Sequence, residues 1–197
     1  GALTNFWYLF NKREQLYDIL DKLTGARLTN SFTRIGGLAR DTYPGFEDEV
    51  LHVLKEFEIA VLDVLKLVAR NKIFLSRTQG VGIISQADAL SYGFTGPCLR
   101  ATGIPYDLRK EFPYYGYENY NFEIPVGEVG DTYDRIMVRF EEITQSIKIV
   151  RQALKVLPGG PVNSDDKRVS LPPKDQTYVN IEGLINHFKH IYEGIKI

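Results

Sequence analysis

One segment, Gly93 to Arg135, limits what this chain can fold into, because glycine and proline break it every few residues. These breaks are Gly93, Gly96, Pro97, Gly103, Pro105, Pro113, Gly116, Pro125, Gly127 and Gly130. A regular helix or strand does not tolerate glycine and proline at this density. The intervening residues include many aromatics and the arginines Arg100 and Arg109, whereas a linker is small and polar. The sequence therefore predicts a long, irregular but packed segment, and ordered segments of this kind tend to carry function.

Composition excludes several classes of protein. The 197 residues are 44% hydrophobic and can bury one substantial core, so we expect a single domain over residues 1–197. The 24 basic and 25 acidic residues leave no charge excess that would favour nucleic acid or an anionic membrane. The most apolar run, Ile59 to Val68, is interrupted by Asp63 and Lys66 and is too short to span a bilayer. One cysteine cannot form an internal disulfide, which favours a reducing compartment.

The start of the sequence gives a further expectation. The only methionine is Met137, and Gly1, Ala2 and Leu3 already belong to a helical pattern. We therefore expect this chain to be an internal piece of a longer polypeptide, with parts of its functional site elsewhere.

Apolar residues at three- and four-residue spacing predict four helices, and hence a mainly α helical bundle decorated by long ordered loops. The predicted helices run from Leu3 to Leu23, from about Phe46 to Arg70, from Tyr133 to Leu157 and from about Tyr178 to Glu193. The second is apolar around most of its circumference between Phe57 and Leu65, so we expect burial on several sides. Short extended pieces are predicted at Phe32 to Ile35 and at Phe122 to Ile124. Residues 162–174 are predicted to form a mobile surface connection.

Residues with reactive side chains offer little sign of a metal site. Cys98 cannot bind an iron-sulfur cluster alone, because such clusters need about four thiolate ligands, and we expect it to be a small buried hydrophobe. His187 and His190 are one helical turn apart, but no carboxylate or cysteine pattern completes a metal site. The sequence therefore predicts no metal site.

Arginines beside glycines are a second group of candidates. Gly36 and Gly37 permit a turn that is closed to other residues, and Arg34 before them can reach across a groove or form a surface salt bridge. Arg100 and Arg109 have Asp107 and Glu111 nearby, so we expect them to organise the glycine-rich segment through internal ion pairs.

The motifs also carry a family resemblance. The runs GFTGPCLRATGIPYDLRK and PVGEVGDTYDR resemble the 49-kilodalton subunit of the NADH-quinone oxidoreductase of respiratory complex I. The runs GALTNFWYLFNKRE, GARL, RIGGLARD, RTQGVGIISQADALSYG and IEGLINHFKHIYEG agree in the same order. The resemblance covers nearly the whole chain, and the same family is related to the large subunits of nickel-iron hydrogenases. It implies a hydrogenase large-subunit-like fold.

The resemblance implies a quinone-reducing role, in a proton-pumping enzyme, that is shared with other complex I subunits. In that family, a small partner subunit holds the terminal iron-sulfur cluster, and the quinone headgroup enters a slot between the two. No catalytic residue matches within this chain, so the isolated piece is expected to be inactive and to bind no cofactor itself. The resemblance also implies a place in the peripheral arm of a membrane complex, on the cytoplasmic side of the inner membrane. A large-subunit piece of a membrane-bound nickel-iron hydrogenase is one alternative. A purely structural interaction domain, which requires only the helical patterns, is another.

Individual positions follow from the same resemblance. Phe6, Leu9 and Phe10 match positions that line the quinone channel, although a role as core residues is equally compatible with their type. Thr29, Arg34, Gly36 and Gly37 match a region that faces the cluster or the partner subunit. Family members commonly carry a histidine where this chain has Thr29. Because threonine does not titrate, pH-linked tuning of the cluster is not expected here.

Overall fold

A computed structural model describes residues 3–194 of this chain, so Gly1 and Ala2, placed by the sequence at the start of the first helix, lie outside the described residues. The described part is mainly helical. Its helices are α1 (Leu3–Thr24), α2 (Phe46–Val68), α3 (Lys72–Thr78), α4 (Gln86–Ser91), α5 (Gly96–Arg100), α6 (Leu108–Glu111), a 3-10 turn (Tyr117–Asn119), α7 (Thr132–Lys155), α8 (Lys174–Val179) and α9 (Ile181–Tyr192). Two short strands, β1 (Thr33–Arg34) and β2 (Gly37–Leu38), pair antiparallel. The mainly α prediction is confirmed, and the likeness to hydrogenase large subunits stays a prediction.

Local hydrogen bonds define the start of α7 and the end of α1. Asp131 caps α7, because its carboxylate accepts the backbone N–H of Asp134 at 2.8 Å. Gly25 follows α1 in a left-handed conformation, and its N–H donates to the carbonyl of Asp21. Between residues 3 and 194, no helix combines the length and apolar character needed to cross a membrane.

The expectation that α2 is buried on several sides is wrong for this chain. Val61, Val64 and Val68 lie in the core, about one turn apart along one stripe. Ile59, Leu62 and Leu67 are each about half exposed on other sides of the same helix. Because only one stripe of α2 finds apolar partners among the described residues, the rest of its apolar surface faces outward.

The last predicted helix is two helices in the structure. Asn180 adopts an extended conformation between α8 and α9, and its side chain accepts the N–H of Glu182 at 2.9 Å. The two helices pack closely at Gly183, where a Cβ would lie 2.5 Å from the carbonyl oxygen of Gln176. The periodic pattern of α9 is visible in the sequence, but the capping role of Asn180 is not evident from it.

Contacts between Cα atoms group the described chain into two compact units. Residues 3–14 and 50–157 form the first unit, and residues 15–49 and 158–194 form the second. The core of the first unit is made of α2, α7 and the short helices between them, with buried side chains such as Val53, Leu99 and Ile147. The expectation of a single domain over residues 1–197 stays a prediction, as does the mobility of residues 162–174.

A tight hairpin in the second unit explains the paired glycines. Ile35 and Gly36 form the two-residue loop between β1 and β2, and Gly36 has a φ of 92°. Residues 162–164 run alongside, since the N–H of Leu38 donates to the carbonyl of Val162 and the N–H of Ser164 donates to that of Gly36. A Cβ on Gly37 would clash with the Val162 carbonyl oxygen. Close backbone approach therefore requires glycine at this position.

Replacing Gly37 with alanine tests whether the nearby Val162 backbone, and not only the φ preference of glycine, makes glycine necessary at this position. Gly37→Ala should lower the free energy of unfolding by about 2–4 kcal/mol, because the new methyl group clashes with backbone atoms of Val162 and Asn163, which can move only if the chain there is distorted. Gly45→Ala is the matched control, since Gly45 has a φ of 83° but no atom near its Cβ position, and it should cost about 1 kcal/mol. Urea unfolding followed by circular dichroism measures both, and equal losses would contradict the account.

Candidate functional site

The irregular segment is anchored at the first turn of α7. One oxygen of Asp131 caps the helix, and the other accepts the backbone N–H of Gly80 at 2.8 Å, 51 residues away in sequence. Asp131 is buried, so both of its hydrogen bonds are made out of contact with bulk water. A single carboxylate thus joins the start of α7 to the loop after α3.

Asp134 binds the loop that precedes the helix. One of its carboxylate oxygens accepts the backbone N–H groups of Glu128, Val129 and Gly130 at 2.9, 2.6 and 3.2 Å. Hydrogen bonds from N–H groups to a carboxylate are about twice as strong as neutral ones. Three converging donors therefore fix the backbone of residues 128–130 without any regular secondary structure.

Arg135 completes this anchor from the same helical turn. Its guanidinium donates to the carbonyl of Gly130 at 2.8 Å and to that of Gly82 at 3.0 Å. Thr132 adds its own N–H and hydroxyl to the carbonyl of Val81. The loops at residues 80–84 and 127–130 are therefore held to one helix terminus by side chains of four neighbouring residues.

Two glycines allow the loop at residues 127–130 to approach neighbouring backbone closely. A Cβ on Gly130 would clash with the carbonyl oxygen of Ile84, and one on Gly127 would clash with that of Ala101. Gly130 also has a φ of 75°, which a side chain disfavours. The glycines that break the segment in sequence thus include the points where it touches neighbouring backbone.

Arg100 and Arg109 lie in one polar network of the first unit. The Arg100 side chain is buried and donates to Glu142 of α7 at 2.7 Å and to the carbonyl of Tyr106 at 2.8 Å. Arg109 makes a bidentate contact with Asp107, at 3.0 and 2.7 Å. The Arg109 guanidinium also lies 4.8 Å from the centre of the Phe122 ring.

The same network shifts the protonation of its members. Hydrogen bonding to the Arg109 guanidinium lowers the pKa of the Asp107 carboxyl below its ordinary value of 3.8, and Arg100 adds a second favourable charge. The Asp107 carboxylate in turn raises the pKa of Arg109. Both groups are therefore charged at neutral pH and hold the loop as an ion pair.

Two glutamines of α7 bind the segment at residues 121–123, and sequence reasoning missed them. Gln152 accepts the N–H of Asn121 and donates to its carbonyl, both at 2.8 Å. Gln145, which is fully buried, accepts the N–H of Glu123 at 3.1 Å. The predicted extended piece at Phe122 to Ile124 belongs to no strand of the described residues, because side-chain amides take the place of a neighbouring strand.

The three quinone-channel candidates lie near the start of α1. Phe6 is 52% exposed, and Leu9 and Phe10 are half-buried. The rings of Phe6 and Phe10 are 5.5 Å apart, and Trp7 contacts both edge to face. Phe6, Trp7 and Phe10 thus form a partly exposed aromatic cluster in the first unit.

The cluster-facing candidates lie in the second unit. Thr29 is exposed, in the irregular stretch between α1 and β1, and Arg34 is exposed at the end of β1. Gly36 and Gly37 shape the hairpin that follows. The structure thus brings Arg34, Gly36 and Gly37 together in one turn.

Other chemically reactive residues show no convergence. Cys98 is half-buried, whereas the sequence predicted a buried side chain. The Arg139 guanidinium lies 3.7 Å from its sulfur. His187 and His190 are both half-buried on α9. Within residues 3–194, no three histidine, cysteine, aspartate or glutamate side chains are placed to hold a metal ion.

Comparison with known proteins identifies the family. The chain matches the family described as respiratory-chain NADH dehydrogenase, 49 Kd subunit, over residues 1–197. The chain belongs to this 49 kDa subunit family. The whole chain aligns with 48% of the length of an NADH-quinone oxidoreductase subunit from Leptospira biflexa, and the aligned residues are 50% identical. It is likewise 50% identical to 35% of a longer subunit of that enzyme from Bdellovibrio bacteriovorus, and 46% identical to half of the Geobacter sulfurreducens counterpart.

Membership of the 49 kDa subunit family agrees with the resemblance seen in the motifs. The chain spans about half the length of the Leptospira, Methylacidiphilum and Geobacter relatives that it matches. The residues that sequence reasoning overlooked, Asp134 and Arg135, lie in the GDTYDR motif that carried the resemblance. An acidic residue three positions after the Asp131 cap was the signal for them, because side chains in a first helical turn commonly bind preceding backbone.

Removing the Asp134 carboxylate should loosen the loop before α7. Asp134→Ala should lower the free energy of unfolding by about 2–3 kcal/mol, because three backbone N–H groups lose their shared acceptor. Asp134→Asn is the control, since it keeps one oxygen acceptor and should cost about half as much. Urea denaturation provides both values. Equal effects, within about 0.5 kcal/mol, for the two variants would show that the shared acceptor is unimportant.

Proposed function

We propose that this chain forms part of the quinone-reducing module of an NADH-quinone oxidoreductase, together with a partner subunit that carries the terminal iron-sulfur cluster. The observation that supports this most strongly is the match of the whole chain to relatives named as subunits of this enzyme, at about 50% identity. Electrons would pass from the partner's cluster to a quinone bound beside this chain. Other subunits of the same complex are its proposed neighbours.

The side chains of this chain suit the wall of a quinone site better than they suit the coordination of an iron-sulfur cluster. The sequence contains one cysteine, Cys98, whereas an iron-sulfur cluster needs about four thiolates. The cluster, which supplies electrons one at a time, is therefore assigned to the partner. We accordingly propose that this chain by itself neither oxidises NADH nor reduces quinone.

The aromatic cluster on α1 is the proposed quinone-facing surface. Quinone headgroups are planar and their prenyl tails are apolar, so a site for them needs aromatic and aliphatic walls. Phe6, Leu9 and Phe10 supply such side chains, and the Arg13 guanidinium lies 5.7 Å from the Phe10 ring centre. The exposure of Phe6 supports a role in contact with something outside this chain.

The region from Thr29 to Gly37 is the proposed surface toward the partner's cluster. Thr29 and Arg34 are exposed, and the hairpin is shaped by Gly36 and Gly37, which suits a docking surface. The proposed location is the peripheral arm, on the cytoplasmic side of the inner membrane. The names of the relatives favour this function over that of a hydrogenase large subunit.

Shortening an aromatic side chain on α1 tests the quinone assignment in the intact complex. Phe6→Ala and Phe10→Ala should each raise the KM for quinone about 3- to 10-fold, because each removes apolar contact area worth about 0.7–1.4 kcal/mol. NADH oxidation with ferricyanide, which accepts electrons before the quinone site, should not change.

Tyr8→Ala is the matched control for the aromatic variants. Tyr8 is a similarly exposed aromatic on α1, but it lines a groove beside Lys12 and Glu56 to which Phe6 and Phe10 do not contribute. Its replacement should leave the KM for quinone within about twofold. An unchanged KM in both phenylalanine variants would contradict the assignment.

Thr29→His tests the cluster-facing assignment in the same complex. A histidine there should make the reduction potential of the terminal cluster rise as pH falls through the histidine's titration range, at about 6.5, because an imidazolium stabilises the added electron. A shift on the order of tens of millivolts is expected, since about 59 mV corresponds to a tenfold change for a one-electron couple. Redox titration followed by electron paramagnetic resonance measures it.

The unmodified chain should show little pH dependence in that titration, because threonine carries no titrating proton. Thr29→Gln is the matched control, since it adds a polar side chain of similar reach that does not titrate. A reduction potential that does not change with pH in any of the three proteins would place Thr29 away from the cluster. The quinone assignment would then still be tested separately by the α1 variants.

A further inference from the structure

A large groove in the second unit adjoins the hairpin that is proposed to face the partner's cluster, and the proposed electron transfer does not use the apolar interior of this groove. It has a volume of about 1130 Å³ and lies between α9, the β1–β2 hairpin and residues 169–178. Its walls are apolar where Ile35, Leu171 and Leu184 contribute side chains. The groove is therefore large enough for a row of side chains from another polypeptide.

The residues with a full charge that line this groove are all basic. Arg34, Arg40 and Lys174 all line it, and no aspartate or glutamate of the described residues does. None of these three cations forms an ion pair with another residue between positions 3 and 194. Elsewhere in the same unit, cations such as Lys22 and Arg168 do pair with carboxylates. Unpaired cations around an apolar groove favour a ligand that carries negative charge.

An apolar stripe on α9 continues the groove. Leu184 and Ile191 line it, and both are more than half exposed. The helix also exposes further apolar side chains, at Ile181, Ile185, Phe188 and Tyr192. A contiguous patch of this kind usually marks an interaction site. Its three- and four-residue spacing matches the spacing of side chains on a partner helix.

We propose that this groove binds an acidic amphipathic helix of a neighbouring polypeptide. Apolar residues of that helix would pack on Leu184 and Ile191, and carboxylates at its edge would pair with Arg40 and Lys174. A second copy of this chain fits less well, because a two-fold contact would bring the cations of both grooves together. A bilayer also fits less well, because α9 carries Glu182 as well as Lys189 and is not rich in basic residues.

Site-specific crosslinking in the intact assembly tests this proposal. A photoreactive phenylalanine analogue at position 191 should crosslink to one segment of a neighbouring polypeptide, and mass spectrometry identifies that segment. It should carry apolar residues at three- and four-residue spacing, with Asp or Glu flanking them. The same analogue at Val179, which is exposed but does not line the groove, is the control and should give only background yield.

Charge reversal tests the electrostatic part. Arg40→Glu combined with Lys174→Glu should lower the crosslink yield from position 191 about tenfold, because the acidic helix then meets like charge. Lys189→Glu makes the same kind of change on α9 outside the groove and should leave the yield within about twofold. If the double reversal prevents assembly, Arg40→Gln with Lys174→Gln should still lower the yield about threefold.

Several results would overturn the proposal. These are a crosslinked segment that is basic or uncharged, and a crosslink to another segment of the same polypeptide, to a second copy of this chain or to lipid. A yield equal to that of the Val179 control, or a yield that the charge variants do not change, would also overturn it. Crosslinking requires no turnover, so its outcome is independent of the proposed quinone function.

Discussion

The irregular half of the first unit depends on the hydrogen bonds that the carboxylate of Asp134 accepts at the first turn of α7. Three backbone N–H groups of residues 128–130 share one of its oxygens. Asp131 and Arg135 extend the same anchor to the loop at residues 80–84. Because residues 80–130 contain only short helices, their positions depend on such side-chain to backbone hydrogen bonds more than on repeated secondary structure.

Sequence reasoning recovered the elements that depend on local periodicity. The long helices α1, α2 and α7 were predicted within a few residues, because the spacing of apolar residues is a local signal. The burial of α2 was not predicted correctly, because it depends on which of its surfaces other elements cover. The break between α8 and α9 was also missed, because it depends on one capping side chain, Asn180, and asparagine also occurs in helix interiors.

The candidate site was only partly accessible from the sequence. Arg100 and Arg109 could be proposed because acidic residues lie near them in sequence. The roles of Gln145 and Gln152 could not, since the backbone groups that they bind lie 22 and 31 residues away. Phe6 and Thr29 were proposed from family resemblance, and their exposure is compatible with contacts to molecules outside this chain.

Amide hydrogen exchange of Glu128, Val129 and Gly130 tests the central structural claim most directly. If Asp134 holds these three N–H groups, each should exchange at least about 100-fold more slowly than an unstructured amide, although none lies in a helix or strand. Gly45 serves as the reference for a loop, because it is exposed and its N–H donates no backbone hydrogen bond within residues 3–194. Exchange of all three anchored amides at the unstructured rate would contradict the account.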